Sequence, residues 1–414
     1  MYLYLHIKYN HIPSNFTFIA ANVLFFLLFC LLNMKKTNTA YLSLGSNLGN
    51  KLNHLQKAIF LLDEKAGDLV AISKIYQSAS WGFSSDDFYN CCVSIDTTLT
   101  PHELLEVILG IEKQLGRTRP TEKSYAARTI DIDIIYYEKE IVDTDTLKIP
   151  HPLLEERRFV LRPLADVAPQ FYHPIVNKDT RNLIQQCRDK SEVTRTTIPI
   201  YKTREALFSS LHFIALEGNI GAGKTTLAKM ISEDFNGKLV LEQFADNPFL
   251  PKFYNDQSRY AFPLEMSFLA ERYQQFTDNT SQLDLFRHFM VSDYDIFKSL
   301  IFAKITLQEE EFKLYRRVFD FMYKEVTKPN VYVYLYQNTE RLLDNIKKRG
   351  RDYEQNIQPD YLDKINRGYF DFMKSYPEQN SLVIDISELD FVAHQEDYKF
   401  ILDKIQDFTV GQQY

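Results

Sequence analysis

Eight residues near the middle of the chain have the spacing of a phosphate-binding loop. Residues 218–225 read Gly-Asn-Ile-Gly-Ala-Gly-Lys-Thr and match the pattern G-x-x-x-x-G-K-[ST] at every fixed position. The glycines let backbone N–H groups close around phosphate oxygens, and a following helix adds a favourable dipole. In this pattern Lys224 reaches the terminal phosphates of a nucleotide, and the hydroxyl of Thr225 holds Mg²⁺. The apolar residues 213–216 predict a strand before the loop, and residues 226–230 predict a helix after it.

A second candidate site contains two aspartates separated by one residue. The alternation in Thr-Ile-Asp-Ile-Asp-Ile-Ile predicts a strand with Asp131 and Asp133 on one face. Two carboxylates about 7 Å apart repel each other unless a cation lies between them. Arg117, Arg119 and Arg128 precede the pair, and this arrangement suggests anionic phosphates bridged to Mg²⁺. The alternative is a half-exposed strand with a solvated acidic face.

These sites require two sets of strands and helices, and 414 residues are enough for two compact domains. In residues 39–189, helix patterns at 51–66 and 101–115 alternate with strand patterns at 40–44, 69–79, 89–98 and 130–137. Residues 190–210 are polar without a clear period, which predicts a linker. In residues 211–414, long helical stretches alternate with strand patterns at 211–216, 238–242, 289–293 and 331–336. Such alternation is typical of a doubly wound α/β fold.

Composition and charge exclude several classes of protein. A hydrophobic content of 45% and a charged content of 25% are ordinary for a globular protein. The net charge of −7 argues against a nucleic-acid partner. The cysteines lack C-x-x-C spacing, which favours a reduced, cytoplasmic compartment; they are Cys30, Cys91, Cys92 and Cys187.

The apolar N-terminal extension, residues 1–38, needs a separate explanation. Residues 16–32 are almost wholly apolar, but 17 residues are at the short edge for a membrane-spanning helix. One interpretation is a signal anchor with Lys35 and Lys36 as its cytoplasmic flank. The favoured interpretation is that translation starts at Met34, in which case residues 1–33 do not belong to the protein and no membrane contact is expected.

Separated motifs connect residues 39–188 with a known enzyme family. In order, these are Leu44 to Asn50, Phe88-Tyr89-Asn90, Glu112 to Arg117, the R-T-x-D-x-D block from Arg128, Ile149 to Pro152, and Arg157-Arg158-Phe159. Together they resemble 6-hydroxymethyl-7,8-dihydropterin pyrophosphokinase, an enzyme of folate biosynthesis. The resemblance implies an α+β domain, a ferredoxin-like sandwich, that transfers pyrophosphate from ATP to the hydroxymethyl group of the pterin.

The same resemblance implies a role for each matching residue. Asp131 and Asp133 would bind two Mg²⁺ ions. The pterin would lie between Phe88 and Phe159 with Asn90 at its edge, which suits a flat heterocycle. The groups that contact or close on the ATP phosphates would be Arg117, Arg119, Arg128, His151 and Arg157.

Residues 211–410 carry the motifs of a second family. Besides the phosphate loop, these are Asn247 to Leu250, Phe253-Tyr254, Phe268-Leu269-x-x-Arg272, and Arg349-Gly350-Arg351-x-Tyr353-Glu354-Gln355. Together they resemble the deoxyribonucleoside kinases, which use MgATP to phosphorylate the 5′-hydroxyl of a deoxyribonucleoside. The resemblance implies an α/β P-loop kinase with a doubly wound parallel sheet that forms a homodimer.

Roles again follow from the matching positions. Glu242 would be the general base on the 5′-hydroxyl. Tyr254 and Glu354 would hold the sugar 3′-hydroxyl, while Arg349 and Arg351 would clamp phosphates. The loop residues that would bind ATP are Gly218, Asn219, Gly221, Gly223, Lys224, Thr225 and Thr226.

Two positions on the nucleoside side depart from the kinase pattern. The third strand ends in Ser-Asp-Tyr-Asp, so Asp293 fits the family's acidic position but the arginine that normally follows is absent. Lys298 is a candidate for the missing charge. The glutamine that reads the base in relatives is Glu265 here. Because a carboxylate only accepts hydrogen bonds, Glu265 would favour guanine, whose N1–H and N2–H are donors.

The sequence therefore predicts a fused bifunctional enzyme that uses Mg²⁺ and ATP in both halves. An alternative is an active pterin pyrophosphokinase joined to a non-catalytic or regulatory P-loop domain, for which the absent arginine is the support. A membrane-anchored protein is a third hypothesis that rests on residues 16–32 alone.

Overall fold

The computed structural model describes residues 37–81, 85–117, 127–243, 247–281, 287–355 and 357–412. The apolar residues 16–32 and Arg119 lie outside these ranges. The chain divides into two compact units, Met1–Lys51 with Leu61–Thr197 and Leu52–Phe60 with Ile198–Tyr414. No helix in the described ranges is long and apolar enough to cross a membrane.

The first unit contains an antiparallel sheet. Its strands are β1 (Asn38–Ser46), β2 (Asp68–Ile72), β3 (Tyr76–Ser78), β4 (Phe88–Thr97), β5 (Asp131–Tyr137) and β8 (Val193–Arg195), with β6 (Val142–Asp143) and β7 (Lys148–Ile149) as a separate pair. The spatial order is β5-β1-β4-β3-β8, and β2 also pairs with β4. The helices are α1 (Lys51–Lys65), α2 (Pro101–Gln114), α3 (Arg158–Val167) and α4 (Thr180–Gln186).

Local chemistry explains how α2 starts. Thr100 is the N-cap, and its side chain accepts a hydrogen bond from the Glu103 N–H while the Glu103 carboxylate accepts one from the Thr100 N–H. This capping box satisfies two donors that have no partner in the helix, and Pro101 suits the first helical position. The predicted start at residue 101 is therefore confirmed.

Two expectations for the first half differ from the structure. The predicted strand 69–79 is two shorter strands, β2 and β3. Ile72 is opposite Val93 of β4 and Tyr76 is opposite Asn90, so the intervening residues contain one position more than β4 and interrupt the pairing. Residues 190–210, expected to be a linker, include β8, which extends the first sheet by pairing with β3. They also include α5 (Arg204–Ser209), which is capped by Thr203. Strand β8 has only three residues, which are too few to show an alternation of polar and apolar positions in the sequence.

The second unit is built on a parallel sheet with the order β10-β11-β9-β12-β13. The strands are β9 (Phe213–Gly218), β10 (Lys238–Val240), β11 (Met290–Ser292), β12 (Val331–Tyr336) and β13 (Ser381–Asp385). The helices are α6 (Lys224–Asp234), α7 (Leu250–Asn255), α8 (Gln257–Ser281), α9 (Phe297–Thr306), α10 (Glu309–Tyr323), α11 (Thr339–Arg349), α12 (Pro359–Ser375) and α13 (Gln395–Gly411). The predicted parallel α/β domain is confirmed.

The order of these strands fixes where a ligand can bind. Strand β9 lies in the centre, and the chain leaves it first toward β10 and later returns on its other side as β12. In open α/β sheets, such a reversal opens a crevice at the carboxyl ends of the strands. The loop from β9 into α6 lies at that edge and contains the glycine-rich motif.

Candidate active sites

The two aspartates of the first unit lie on one face of β5, as the alternation predicts. Asp131 is opposite Gly45 of β1, and Asp133 is opposite Ser43. Both line a single pocket together with Arg128. Because one residue separates them on the edge strand β5, the two carboxylates lie together whatever the position of distant elements.

Arginines surround this acidic pair. Arg117 and Arg128 both contact the Asp131 carboxylate, and Nη1 of Arg157 lies 3.4 Å from Oδ2 of Asp133. Arg117 also contacts Glu112, a buried residue of α2. Burial, followed by the charge of Asp131, raises the pKa of Asp133 to about 7. The second carboxylate therefore carries its charge at a cost that an added cation would relieve.

The donor set suits Mg²⁺, which prefers oxygen ligands and keeps several coordination positions for water and substrate phosphates. Among the described residues, no cluster of three or more His, Cys, Asp or Glu side chains forms a complete metal cage. Asp131 and Asp133 alone leave room for phosphate oxygens.

His151 and Arg157 lie beside Asp133, but they differ in charge. Nε2 of His151 is 3.9 Å from Asp133 Oδ2 and 3.4 Å from Arg157 Nη1. Burial and the neighbouring Arg157 lower the pKa of His151 to about 4. His151 is therefore a neutral hydrogen-bonding group at neutral pH, while Arg157 provides the positive charge.

An aromatic pocket adjoins the acidic pair. Phe88, Asn90 and Phe159 all line it, which brings together the three residues expected at the pterin. The Asn90 amide donates to Ser78 Oγ at 3.0 Å, so this buried side chain has a fixed orientation. A Cβ at Gly45 would lie 3.2 Å from Asn90 Oδ1, which explains a glycine on this strand.

Trp81 is a lining residue to which the sequence gave no role. Its ring centroid lies 6.4 Å from that of Phe159, and the Arg157 guanidinium is 5.5 Å from the Trp81 ring. An indole is large and rigid, so Trp81 enlarges the apolar wall of this pocket. Nothing in its local sequence signals this, because the contact depends on residues about 80 positions away.

In the second unit, the phosphate loop has the conformation that its glycines predict. Gly221 and Gly223 have φ values of 86° and 81°, and a Cβ at Gly221 would approach the Leu342 carbonyl oxygen to 3.0 Å. Lys224 Nζ donates to the carbonyl oxygens of Gly218 and Asn219, each at 2.9 Å. Burial, and then the charge of Lys298, lower the pKa of Lys224 to about 8.

Asn219, one of the loop residues expected to bind ATP, has a fully buried side chain. Its amide donates to the Leu362 carbonyl and to Asn366 Oδ1, both at 2.8 Å. Its Oδ1 accepts from the Ile220 N–H, also at 2.8 Å. The side chain therefore ties the loop to α12 and is not available to a nucleotide. Thr226 is exposed in the first turn of α6.

Asp293 lies at the phosphate end of the pocket. One oxygen accepts a hydrogen bond from the Thr225 hydroxyl, and the other accepts one from the Glu242 N–H at 2.8 Å. The sequence placed Asp293 with the nucleoside-binding residues. In the structure its carboxylate joins the Thr225 hydroxyl to the backbone of Glu242, and its contact with a nucleoside stays a prediction.

Glu242, the expected general base, is held between two cations. Arg272 donates to Oε1 from Nε at 2.9 Å and from Nη2 at 2.7 Å. Lys298 Nζ donates to Oε2 at 2.6 Å. Although burial opposes ionisation, Lys298 and Arg272 lower the pKa of Glu242 to about 2. Glu242 is therefore fully ionised. The sequence suggested Lys298 as a source of positive charge and placed Arg272 in a family motif, but it did not predict that both contact Glu242.

Glu265 lies in the same pocket and is 3% exposed. Oε1 accepts a hydrogen bond from the Thr306 hydroxyl at 3.0 Å, whereas Oε2 is buried without a hydrogen-bond partner among the described residues. Burial raises the pKa of Glu265 to about 7. A buried oxygen with no donor is costly, so this position is suited to a ligand that brings donors.

The basic residues at the end of α11 and just after it also face this pocket. Arg349 contacts Glu354 Oε2, and Arg351 Nη1 is 3.3 Å from Glu354 Oε1. All three line the pocket together with Lys224. Glu354 is buried while both arginines are partly exposed. The side chain of Tyr254 lies outside the described part of the chain.

The two sites define a phosphotransferase with two separate substrate pockets, one beside an acidic pair and one beside a phosphate loop. The family model for 7,8-dihydro-6-hydroxymethylpterin-pyrophosphokinase matches residues 41–169, and the model for deoxynucleoside kinase matches residues 214–410. The chain belongs to both families as a fusion, with the pyrophosphokinase at the N-terminal side.

Individual relatives agree with these matches. A deoxyguanosine kinase of Bacillus subtilis is 36% identical over 202 residues, which cover 48% of this chain and 98% of that protein. A 2-amino-4-hydroxy-6-hydroxymethyldihydropteridine pyrophosphokinase of Aquifex aeolicus is 41% identical over 34% of this chain and 86% of that protein. The folic acid synthesis protein FOL1 of Dictyostelium discoideum is 43% identical over 35% of this chain, but the match spans only 22% of that longer protein.

Proposed function

We propose that the chain is a bifunctional ATP-dependent transferase. One half transfers pyrophosphate from ATP to 6-hydroxymethyl-7,8-dihydropterin, and the other transfers a phosphoryl group from ATP to the 5′-hydroxyl of a deoxyribonucleoside. The observation that carries the proposal is that each pocket contains charged groups that can bind phosphates. Next to them, aromatic side chains line a space that can hold a heterocycle.

In the first half, the hydroxymethyl oxygen attacks the β-phosphorus of ATP and releases its proton to solvent, the bond between the α- and β-phosphates breaks, and AMP leaves. Mg²⁺ held by Asp131 and Asp133 would neutralise charge on the triphosphate. Arg128 and Arg157, which contact the aspartates in the structure, are close enough to the pocket to bind phosphate oxygens as well. Phe88 and Phe159 orient the pterin.

In the second half, Glu242 accepts the proton of the nucleoside 5′-hydroxyl. The 5′-oxygen attacks the γ-phosphorus of ATP, and ADP leaves. Lys224 and the arginines of the Arg349–Arg351 segment stabilise the negative charge of the transferred group. Glu354 and Tyr254 hold the sugar. The Thr225 hydroxyl would hold Mg²⁺, which would neutralise charge on the nucleotide phosphates.

For the nucleoside, we favour deoxyguanosine. Guanine presents N1–H and N2–H side by side, and these two donors match the carboxylate of Glu265, whose Oε2 is without a partner among the described residues. Adenine presents an acceptor at N1 where guanine has a donor. The similarity to a deoxyguanosine kinase supports the same choice.

A product assay on the full chain tests both activities. MgATP is supplied with hydroxymethyl-dihydropterin or with each of the four deoxyribonucleosides, and AMP is separated from ADP. AMP with the pterin and ADP with deoxyguanosine are expected. A clear preference for thymidine would contradict the base assignment, and AMP alone would favour a kinase half without catalysis.

The variant Glu265→Gln isolates the base assignment. The amide turns one acceptor into a donor, so kcat/KM for deoxyguanosine should fall by about tenfold or more, whereas deoxyadenosine should be unaffected or improved. Glu310→Gln makes the same chemical change on the exposed face of α10 and serves as the control. Equal losses for both purine nucleosides would contradict base reading by Glu265.

Three further features of the protein are part of the proposal. The first domain comprises residues 39–197, because β8 belongs to its sheet, and it has a ferredoxin-like arrangement of helices on that antiparallel sheet. The second domain comprises residues 211–414. The three described cysteines are buried free thiols, which supports a cytoplasmic location. A homodimer through the long helices of the kinase half follows from the family resemblance.

A further inference from the structure

The two cations on Glu242 are held differently. Arg272 contacts Glu242 with two nitrogens, and its Nη1 also donates to Ser299 Oγ at 2.7 Å. Its guanidinium lies 5.0 Å from the Phe268 ring, and the residue is 5% exposed. Arg272 is therefore fixed by several partners on two helices.

Lys298 also lies near an aromatic ring, 5.6 Å from that of Phe302, but it has fewer hydrogen-bond partners than Arg272. Its ammonium donates to Oε2 of Glu242 and to no other acceptor in the described part of the chain. It occupies the first turn of α9 and lines the pocket that also contains Lys224 and Thr225 of the phosphate loop. A lysine ammonium on a flexible four-carbon stem can exchange partners more easily than a guanidinium held at several points.

We infer that Lys298 is an exchangeable counter-ion, which neutralises Glu242 in the empty pocket and transfers to the terminal phosphate when ATP binds. This inference rests on the proposed kinase activity of the second half. Before exchange, Glu242 has two cations on its carboxylate and is a weak proton acceptor. After exchange it keeps only Arg272, so its affinity for the 5′-hydroxyl proton rises at the moment when ATP is in place.

The exchange leaves the chemistry of phosphoryl transfer unchanged. The 5′-hydroxyl proton goes to Oε2 of Glu242, the new O–P bond forms at the γ-phosphorus, and the bond to the β-phosphate breaks to release ADP. Lys298 then faces the transferring group, where a positive charge stabilises the transition state. In the resembled family an arginine follows the acidic residue at the end of this strand, but here Tyr294 follows Asp293. Lys298 thus supplies the positive charge that this position lacks.

Binding measurements separate exchange from a purely structural role. If Lys298 must leave Glu242 to reach the γ-phosphate, then Glu242→Gln should release the lysine and tighten binding of the non-hydrolysable analogue AMPPNP about tenfold. Lys298→Met should weaken AMPPNP binding by a similar factor while leaving ADP binding within about twofold. In the double variant Glu242→Gln/Lys298→Met, the gain from Glu242→Gln should disappear. If Lys298 stays on the carboxylate, AMPPNP should not bind more tightly to any of these variants, and that result would overturn the inference.

Kinetics complete the test in the full chain. Lys298→Met should lower kcat for nucleoside phosphorylation by about a hundredfold or more, and Lys298→Arg should restore part of it. Lys304→Met, an exposed lysine on the same helix, is the matched control and should be unchanged. AMP formation with the pterin verifies that each variant is folded. If the wild-type protein phosphorylates a nucleoside and the kcat of Lys298→Met is within threefold of the wild-type value, the inference about Lys298 is wrong but the proposed function stands. If the wild-type protein phosphorylates none, the proposed function fails with it.

Discussion

At the scale of single residues, Glu265 should make nucleoside preference depend on pH. Its pKa is raised to about 7 by burial, so in the empty pocket the carboxyl is neutral below that pH and ionised above it. Only the ionised form accepts from both guanine donors, whereas the neutral acid can donate to an acceptor such as adenine N1. We expect the ratio of kcat/KM for deoxyguanosine to that for deoxyadenosine to fall as the pH decreases from 8 to 6.

The assay compares both nucleosides at each pH, because effects on ATP or on Glu242 then cancel in the ratio. Glu265→Gln should give a ratio that is flat with pH. A pH-independent ratio in the wild-type protein would show that Glu265 does not read the base.

The same carboxyl should influence stability. Because its folded pKa of about 7 exceeds the ordinary 4.5, its contribution is fully present below pH 4.5 and is lost as the pH rises through 7. A shift of this size corresponds to roughly 3 kcal/mol. Glu265→Gln removes the ionisation, so at pH 8 it should increase the free energy of unfolding of the ligand-free second unit by up to that amount, and by much less at pH 5.

Urea unfolding followed by circular dichroism at pH 5 and 8 measures this difference. Trp81 is the only tryptophan and lies in the first unit, so its fluorescence reports a transition that should not change. A variant that is equally or less stable than the wild type at pH 8 would contradict the assigned ionisation.

At the scale of elements, the phosphate loop depends on a contact with α12. Asn219→Ala removes the bonds to Leu362 and Asn366 and leaves the Leu362 carbonyl buried without that donor. Loss of such bonds costs about 1–3 kcal/mol. We expect a lower thermal midpoint for the second unit and a raised KM for ATP in the kinase reaction. A variant with an unchanged KM would indicate that the loop keeps its shape without this anchor.

Elements with strong local patterns were predictable from the sequence. The loop between β9 and α6 and the pairing of Asp131 with Asp133 depend on neighbouring residues, so spacing alone located them. The surroundings of Glu242 could not be found this way. Arg272 and Lys298 come from α8 and α9, 30 and 56 positions further along the chain, and no local period connects them with the end of β10. For the same reason the buried position of Asn219 was not apparent from the loop motif.

At the scale of the whole molecule, the substrates proposed for the two pockets contain chemically related rings. A pterin and guanine both contain a pyrimidine ring with an amino group and an oxo group, and both halves would use ATP as the donor. The polar groups around the rings are nevertheless different, because Asn90 carries an amide and Glu265 carries a carboxylate. The halves should therefore discriminate between the two rings although both present similar donors.

Each active site draws its assigned residues from its own unit, so single substitutions should separate the two activities in the full chain. Lys224→Ala removes the ammonium that reaches the terminal phosphates and should lower ADP formation with a nucleoside at least about a hundredfold, while AMP formation with the pterin stays near the wild-type rate. Asp131→Asn removes a charge from the acidic pair and should have the opposite pattern of losses. Measuring both products for both variants in one assay checks this. Loss of both products in either variant would mean that the sites depend on each other, whereas full ADP formation by Lys224→Ala would remove the phosphate loop from the reaction.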